Sequence, residues 1–132
     1  MKIVKLNNAN FKKFGKYLNT NICFVGIFSK NCIHCKMMQP EWEKLKNQLK
    51  KKKCNGVLLE LDSRQLNYIN YPDFNNNING FPTIALYKNG KIVKQYNGNR
   101  SSSNMYKFLH PYLIYNKTIR KKKTTKNTRK LP

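Results

Sequence analysis

Residues 22–45 read ICFVGIFSKNCIHCKMMQPEWEKL, and this stretch decides the fold. Ile22 to Phe28 is an unbroken apolar run bounded by Asn21 and Ser29, the pattern of a strand buried on both faces. Cys32-Ile33-His34-Cys35 follows, and then Met38, Trp42, Leu45 and Leu49 recur at helical spacing. A C-x-x-C pair therefore falls between a strand and a helix. The first sulfur then sits at the helix amino terminus, where unpaired N–H groups and the helix dipole favour a thiolate over a thiol. Cys32 is expected as the exposed nucleophile and Cys35, one turn in, as the buried resolving thiol. His34 can become a local cation that stabilises the Cys32 thiolate further. A stabilised thiolate stabilises the reduced form and makes the disulfide more oxidising. The motif alone also fits half of a zinc site, which needs two more ligands. Cys23 lies mid-strand, Cys54 follows a helix and His110 is remote, so redox chemistry is the preferred reading of the two.

Outward from this stretch, Lys2 to Leu6 alternates as a short strand, and Phe11, Phe14 and Leu18 predict a helix over 9–19, imperfect at Gly15. Pro40 is expected to kink the long helix, since it supplies no backbone donor. Val57 to Leu61 reads as a third strand; 64–79 reads as a short helix running into loop. Thr83 to Tyr87 and Lys91 to Tyr96 form a hairpin about Asn89-Gly90. Ser101 to Ser103 cap a last helix whose apolar face is Met105, Phe108, Leu109 and Tyr112, despite Pro111. The order βαβαβαββα implies an α/β fold, a central mixed sheet flanked by helices.

The chain has 132 residues, enough for one domain without disulfide staples. It carries 27 lysines and arginines against five acids, a formal charge of +22, which makes contact with polyanions a live question. Eight of the basic residues and no acid fall in 116–132, which has no apolar period. The expected organisation is a domain over 1–115 and a basic disordered tail over 116–132. The first apolar cluster is broken by Lys2 and Lys5, and the longest apolar run is seven residues, against about 20 for a spanning helix. With four oddly spaced cysteines, a cytoplasmic setting with reduced thiols is expected. The lysine- and asparagine-rich composition fits an AT-rich genome, and packaging in the virion of a large DNA virus is the alternative.

The stretch from Phe24 to Leu45 resembles the active-site strand and helix of the thioredoxin and protein disulfide isomerase family. Lys36 follows the second cysteine and Pro40 lies five beyond it, as in that family. Asp62 ends the third strand, Gly80-Phe81-Pro82-Thr83 resembles the family's cis-proline loop, and Tyr96, Gly98 and Arg100 match its Y-x-G-x-R. The resemblance covers about residues 2–112. It implies a thioredoxin fold with Pro82 cis and facing the cysteines, and with backbone beside Phe81 or Thr83 free to bond an extended substrate strand. It implies a thiol–disulfide oxidoreductase acting on protein disulfides through a Cys32–Cys35 couple, with no cofactor or metal. The partners would be protein disulfide or dithiol substrates and an unidentified recycling reductase or oxidase.

Three positions depart from the family. Asn31 replaces the tryptophan before the first cysteine, Gly26 replaces a buried acid six residues before it, and Glu60 stands where isomerase domains often carry lysine. Strand alternation puts Glu60 on one face with Leu58 and Asp62. It either supplies the missing carboxylate to Cys35, its proton affinity raised by desolvation, or faces water. The alternative function is a basic nucleic-acid-binding or virion-packaged protein that retains a thioredoxin scaffold with weakened catalysis. Cys23 reads as core and Cys54 as a loop residue. Met37 and Met38 read as packing residues, with Met37 at the substrate rim as the alternative.

Overall fold

The computed structural model describes residues 1–115; the segment 116–132, read above as a tail, lies outside the described residues. Five strands form one sheet: β1 (Lys2–Lys5), β2 (Cys23–Phe28), β3 (Val57–Asp62), β4 (Thr83–Lys88) and β5 (Lys91–Gln95). Their order is β1-β3-β2-β4-β5, with β1, β3 and β2 parallel and β4 and β5 antiparallel. All six residues of β2 are buried, as its continuous apolar run requires of a strand covered on both faces. The two edge strands, β1 and β5, both begin with the tetrapeptide Lys-Ile-Val-Lys.

Helices cover both faces. Helix α2 (Ile33–Lys50) and α4 (Ser102–Leu109) pack Met38, Trp42, Leu45, Met105 and Leu109 against Phe24, Leu58 and Leu86. On the other face α1 (Phe14–Leu18) and α3 (Pro72–Asn75) pack Phe14, Leu18 and Phe74 against Val25, Leu59, Leu61 and Tyr87. The period-2 alternation of β3 is thereby shared between two cores.

The helix expected over 9–19 is shorter: a 3-10 turn at Phe11–Lys13 leads into α1, and Asn10 gives it no side-chain cap. Residues 64–79 split into a 3-10 turn (Ser63–Tyr68), capped by Asp62, and the single turn of α3. Helix α2 runs as one helix with Pro40 inside it. Its apolar stripe against the sheet outweighs the one backbone bond that proline removes. Helix α4 stops at Leu109 and tightens to a 3-10 turn (His110–Tyr112), where Pro111 cannot donate. Among the described residues no helix is long and apolar enough to cross a membrane.

The glycine at position 26 has a steric cause. A Cβ there would lie 2.5 and 2.6 Å from the Trp42 ring, itself fully buried. The indole occupies the room that an acid at 26 would need. Gly26→Ala is therefore expected to cost about 1–3 kcal/mol by overpacking. Gly80→Ala, where a Cβ meets nothing within 4 Å, should change stability by less than about 0.5 kcal/mol. Urea unfolding of the two variants checks both expectations.

Candidate active site

Strand β2 ends at Phe28, and the loop Ser29–Asn31 delivers the chain into α2 at the carboxyl edge of the parallel strands. Cys32 is the N-cap of α2, in extended backbone, and its sulfur accepts from the Cys35 N–H at 3.2 Å. A thiolate suits this position because the first turn's N–H groups have no helical partner. Cys35 faces inward, 2% exposed, and its sulfur accepts from the Ser29 N–H at 3.4 Å. Across the gap the Phe81–Pro82 bond is cis, and the Cys32 thiol donates to the Phe81 carbonyl at 3.4 Å. Thr83 follows as the first residue of β4. The loop and the cysteine pair are thus brought together.

The two thiols titrate in opposite directions. Partial burial works against the Cys32 thiolate, but the Cys35 thiol, the N–H groups of Cys35 and His34, and the Arg100 guanidinium outweigh it. The Cys32 thiol is held below its ordinary value. Burial, followed by the hydrogen bond and charge of Cys32, pushes Cys35 up to about 11. What His34 supplies to Cys32 in this geometry is its backbone N–H, while its side chain is exposed. The nearby side-chain cation is Arg100, which the sequence reading used only as a motif match. Its loop is tied to α2: Glu41 accepts from the Ser102 N–H at 2.8 Å, and Ser101 caps α4.

Glu60 does not face water. It is 8% exposed, and its Oε1 accepts from Trp42 Nε1 and from Lys46 Nζ, both at 2.9 Å; Lys5 Nζ lies 3.9 Å from Oε2. In the parallel register it stands directly beside Gly26. Glu60 and Cys35 line one cleft of about 390 Å³ together with Lys30, Lys36 and Asp62. Asp62, the other carboxylate there, is gripped by Arg64 at 2.9 Å, whose hydrogen bond holds it below the usual carboxylate range. Trp42 and Lys46, which fix Glu60, were not singled out for this from sequence; their spacing on α2 carries no such signal.

Met37 is 69% exposed beside the pair, whereas Met38 is core, so packing describes only the second methionine. Cys23 is fully buried, and burial holds its thiol far above the ordinary value. Cys54 precedes β3, where it bridges to Tyr115. Among the described residues no three His, Cys, Asp or Glu side chains gather as metal ligands.

Alkylation by iodoacetamide reads these titrations directly. A lowered thiol value keeps thiolate present at lower pH, so the Cys32 rate should be half-maximal below about pH 8.5. Arg100→Gln should move that midpoint to higher pH. Cys35 should stay nearly unreactive until the pH approaches about 11.

The sequence profile of the thioredoxin family matches residues 2–111. The chain is 34% identical to protein disulfide-isomerase 2-3 of Arabidopsis thaliana over 82% of its own length and 23% of that protein's. It spans about a fifth to a quarter of the length of the curated relatives first matched. The first two thioredoxin domains of Naumovozyma dairenensis Eps1p superpose with a TM-score of 0.64 at 27% identity, covering 80% of this chain and 38% of theirs. Oxidised thioredoxin from Plasmodium falciparum shares the fold with a TM-score of 0.58 at 23% identity, covering 85% and 97%. With the profile matched across nearly all described residues and the fold common to these domains, the chain belongs to the thioredoxin family.

Proposed function

We propose that the chain is a thiol–disulfide oxidoreductase acting on protein disulfides through the Cys32–Cys35 couple. The observation that carries this reading is the placement of the two sulfurs, Cys32 capping α2 and facing the Phe81 carbonyl of the cis-proline loop, Cys35 buried one turn in with its N–H on the Cys32 sulfur. The Cys32 thiolate attacks one sulfur of a substrate disulfide; a Cys32–substrate bond forms and the other substrate sulfur leaves as a thiolate. Cys35 then loses its proton and attacks the Cys32 sulfur, releasing the second substrate thiolate. Two electrons pass to the substrate and a Cys32–Cys35 disulfide remains. Backbone beside Pro82, at Phe81 and Thr83, receives the extended substrate strand.

Resolution needs a proton acceptor, because Cys35 is protonated at neutral pH. Glu60, the more deeply buried of the two carboxylates lining the shared cleft, takes that role. The carboxylate missing at Gly26 is replaced from the adjacent strand. In a reducing compartment the couple rests as the dithiol and acts as a reductant, recycled by a reductase. In an oxidising compartment the same steps run backward with an oxidase partner.

The alternative of a basic scaffold with weakened catalysis draws no support from the relatives named above. Its structural argument, the loss of the buried acid, weakens with Glu60 beside the cleft.

Insulin reduction with dithiothreitol tests the reading. Cys32→Ser should abolish turnover, and Cys35→Ser should trap a mixed disulfide at Cys32. Turnover that survives Cys32→Ser would end the proposal. Glu60→Gln keeps an acceptor for Trp42 and Lys46 while removing the charge and proton affinity of the carboxylate. Resolution of a trapped Cys32 adduct should slow about a hundredfold near neutral pH, the lower end of the usual span for a general base. Cys32 alkylation should be unchanged. An unaltered resolution rate would remove Glu60 from the mechanism.

A further inference from the structure

Two surface depressions lie on opposite flanks of the first turns of α2, the helix that Cys32 caps. The cleft beside Cys35 carries Lys30 and Lys36; the groove on the other flank carries Arg100 with His34 and Met37. Lys30, Lys36 and Arg100 are exposed. The carboxylates around these depressions are bonded to other partners, Lys30 acting on Asp62 only as a more distant charge. Glu41 is bound to the Ser102 N–H and Lys44, Glu60 to Trp42 and Lys46, and Asp62 to Arg64. Glu43 pairs with Lys46, and Asp73, the fifth acid of the chain, belongs to α3 on the opposite face of the sheet. Among the described residues, Lys30, Lys36 and Arg100 have no ion-pair partner.

We infer that the preferred substrates are disulfides flanked by acidic residues on either side of the cysteine that Cys32 attacks. The inference rests on the oxidoreductase reading and names its substrate class. A polypeptide extended along the Pro82 loop to Cys32 brings its neighbouring side chains to these flanks, where the cations are unpaired and the carboxylates Glu41, Glu60 and Asp62 are already bonded. Charges of one sign around a cleft raise the local concentration of the opposite sign and speed encounter, by tenfold or more in steered systems. Basic flanks meet like charge and are slowed. The attacking thiolate and the departing one are both anionic, so the same cations favour the encounter and the sulfur exchange together.

The test uses the full reduced chain and three synthetic peptides of equal length. Each holds one disulfide flanked by glutamates, serines or lysines. Second-order oxidation rates are measured at about 20 mM and about 300 mM salt, where the screening length falls from roughly 20 Å to 6 Å. At low salt the glutamate peptide should react at least about tenfold faster than the lysine peptide, with serine between. High salt should bring the ratio below about threefold. Lys30→Ser with Lys36→Ser should lower the ratio at low salt about threefold or more, Arg100 keeping the remainder, and Lys30→Arg with Lys36→Arg should retain it. Equal rates for the three peptides, or a preference that the serine pair leaves undiminished, would overturn the inference. So would a single-stranded oligonucleotide that blocks the glutamate peptide better than a cysteine-free acidic peptide of equal charge, since it assigns the cations to nucleic acid. Neutral 2-hydroxyethyl disulfide separates the two levels. If the wild-type chain oxidises with it but shows no charge preference, only the substrate class falls. If it fails to react with any disulfide, the oxidoreductase reading falls and takes the inference with it.

Discussion

The N–H of Cys35 donates to the sulfur of Cys32 across the first turn of α2, and the other groups of the site take their places from that bond. It fixes the nucleophile as the helix cap, so the dipole and the unpaired amides act on one sulfur. The same turn sends Cys35 inward, under Ser29, where burial and its anionic neighbour keep the proton on. The difference between the sulfurs is therefore one of place along a single helical turn. The helix can hold this geometry because its apolar stripe, from Met38 to Leu49, is seated on β2 and β3 and spans the proline without a break.

Gly26 and Glu60 are coupled through the Trp42 indole. They are register partners on adjacent parallel strands, so a carboxylate on either can reach the space beneath α2. The Trp42 ring fills that space at 26 and leaves no room for a side chain, while its N–H turns toward 60 and receives the carboxylate there. Lys46, one turn further along α2, supplies the countercharge. A buried carboxylate without such partners would carry a large desolvation cost. The indole thus sets both the exclusion at one strand and the acceptance at the next.

Much of this was readable from the residues. The unbroken run into β2, the cysteine spacing and the Asn89-Gly90 turn each have a local physical signal, and the strand and helix order follows from them. The proline loop was readable only through resemblance, since its meeting with Cys32 joins positions 49 residues apart. Local signals failed where the chain is polar and short of apolar period, as in 64–79, where Asp62 capping a 3-10 turn decided the outcome. The choice for Glu60 between core and water depended on Trp42 and Lys46 arriving from another element. The role of Arg100 depended on Glu41 anchoring its loop. Alternation along β3 could give the face of Glu60 but not its company.

The repeated Lys-Ile-Val-Lys of the two edge strands bears on how copies of this molecule treat one another. An open sheet edge offers unpaired N–H and C=O groups that any extended chain can extend into a larger sheet. Here both edges present ammonium groups three residues apart along the strand, and Lys88 precedes the second set by one hairpin turn. Edge-to-edge pairing of two chains would set like charges opposite one another, which opposes growth of the ladder. Raised ionic strength weakens that barrier. Colloidal stability and resistance to fibril-like stacking are in this way written into the borders of the sheet, remote from the sulfur chemistry at its centre.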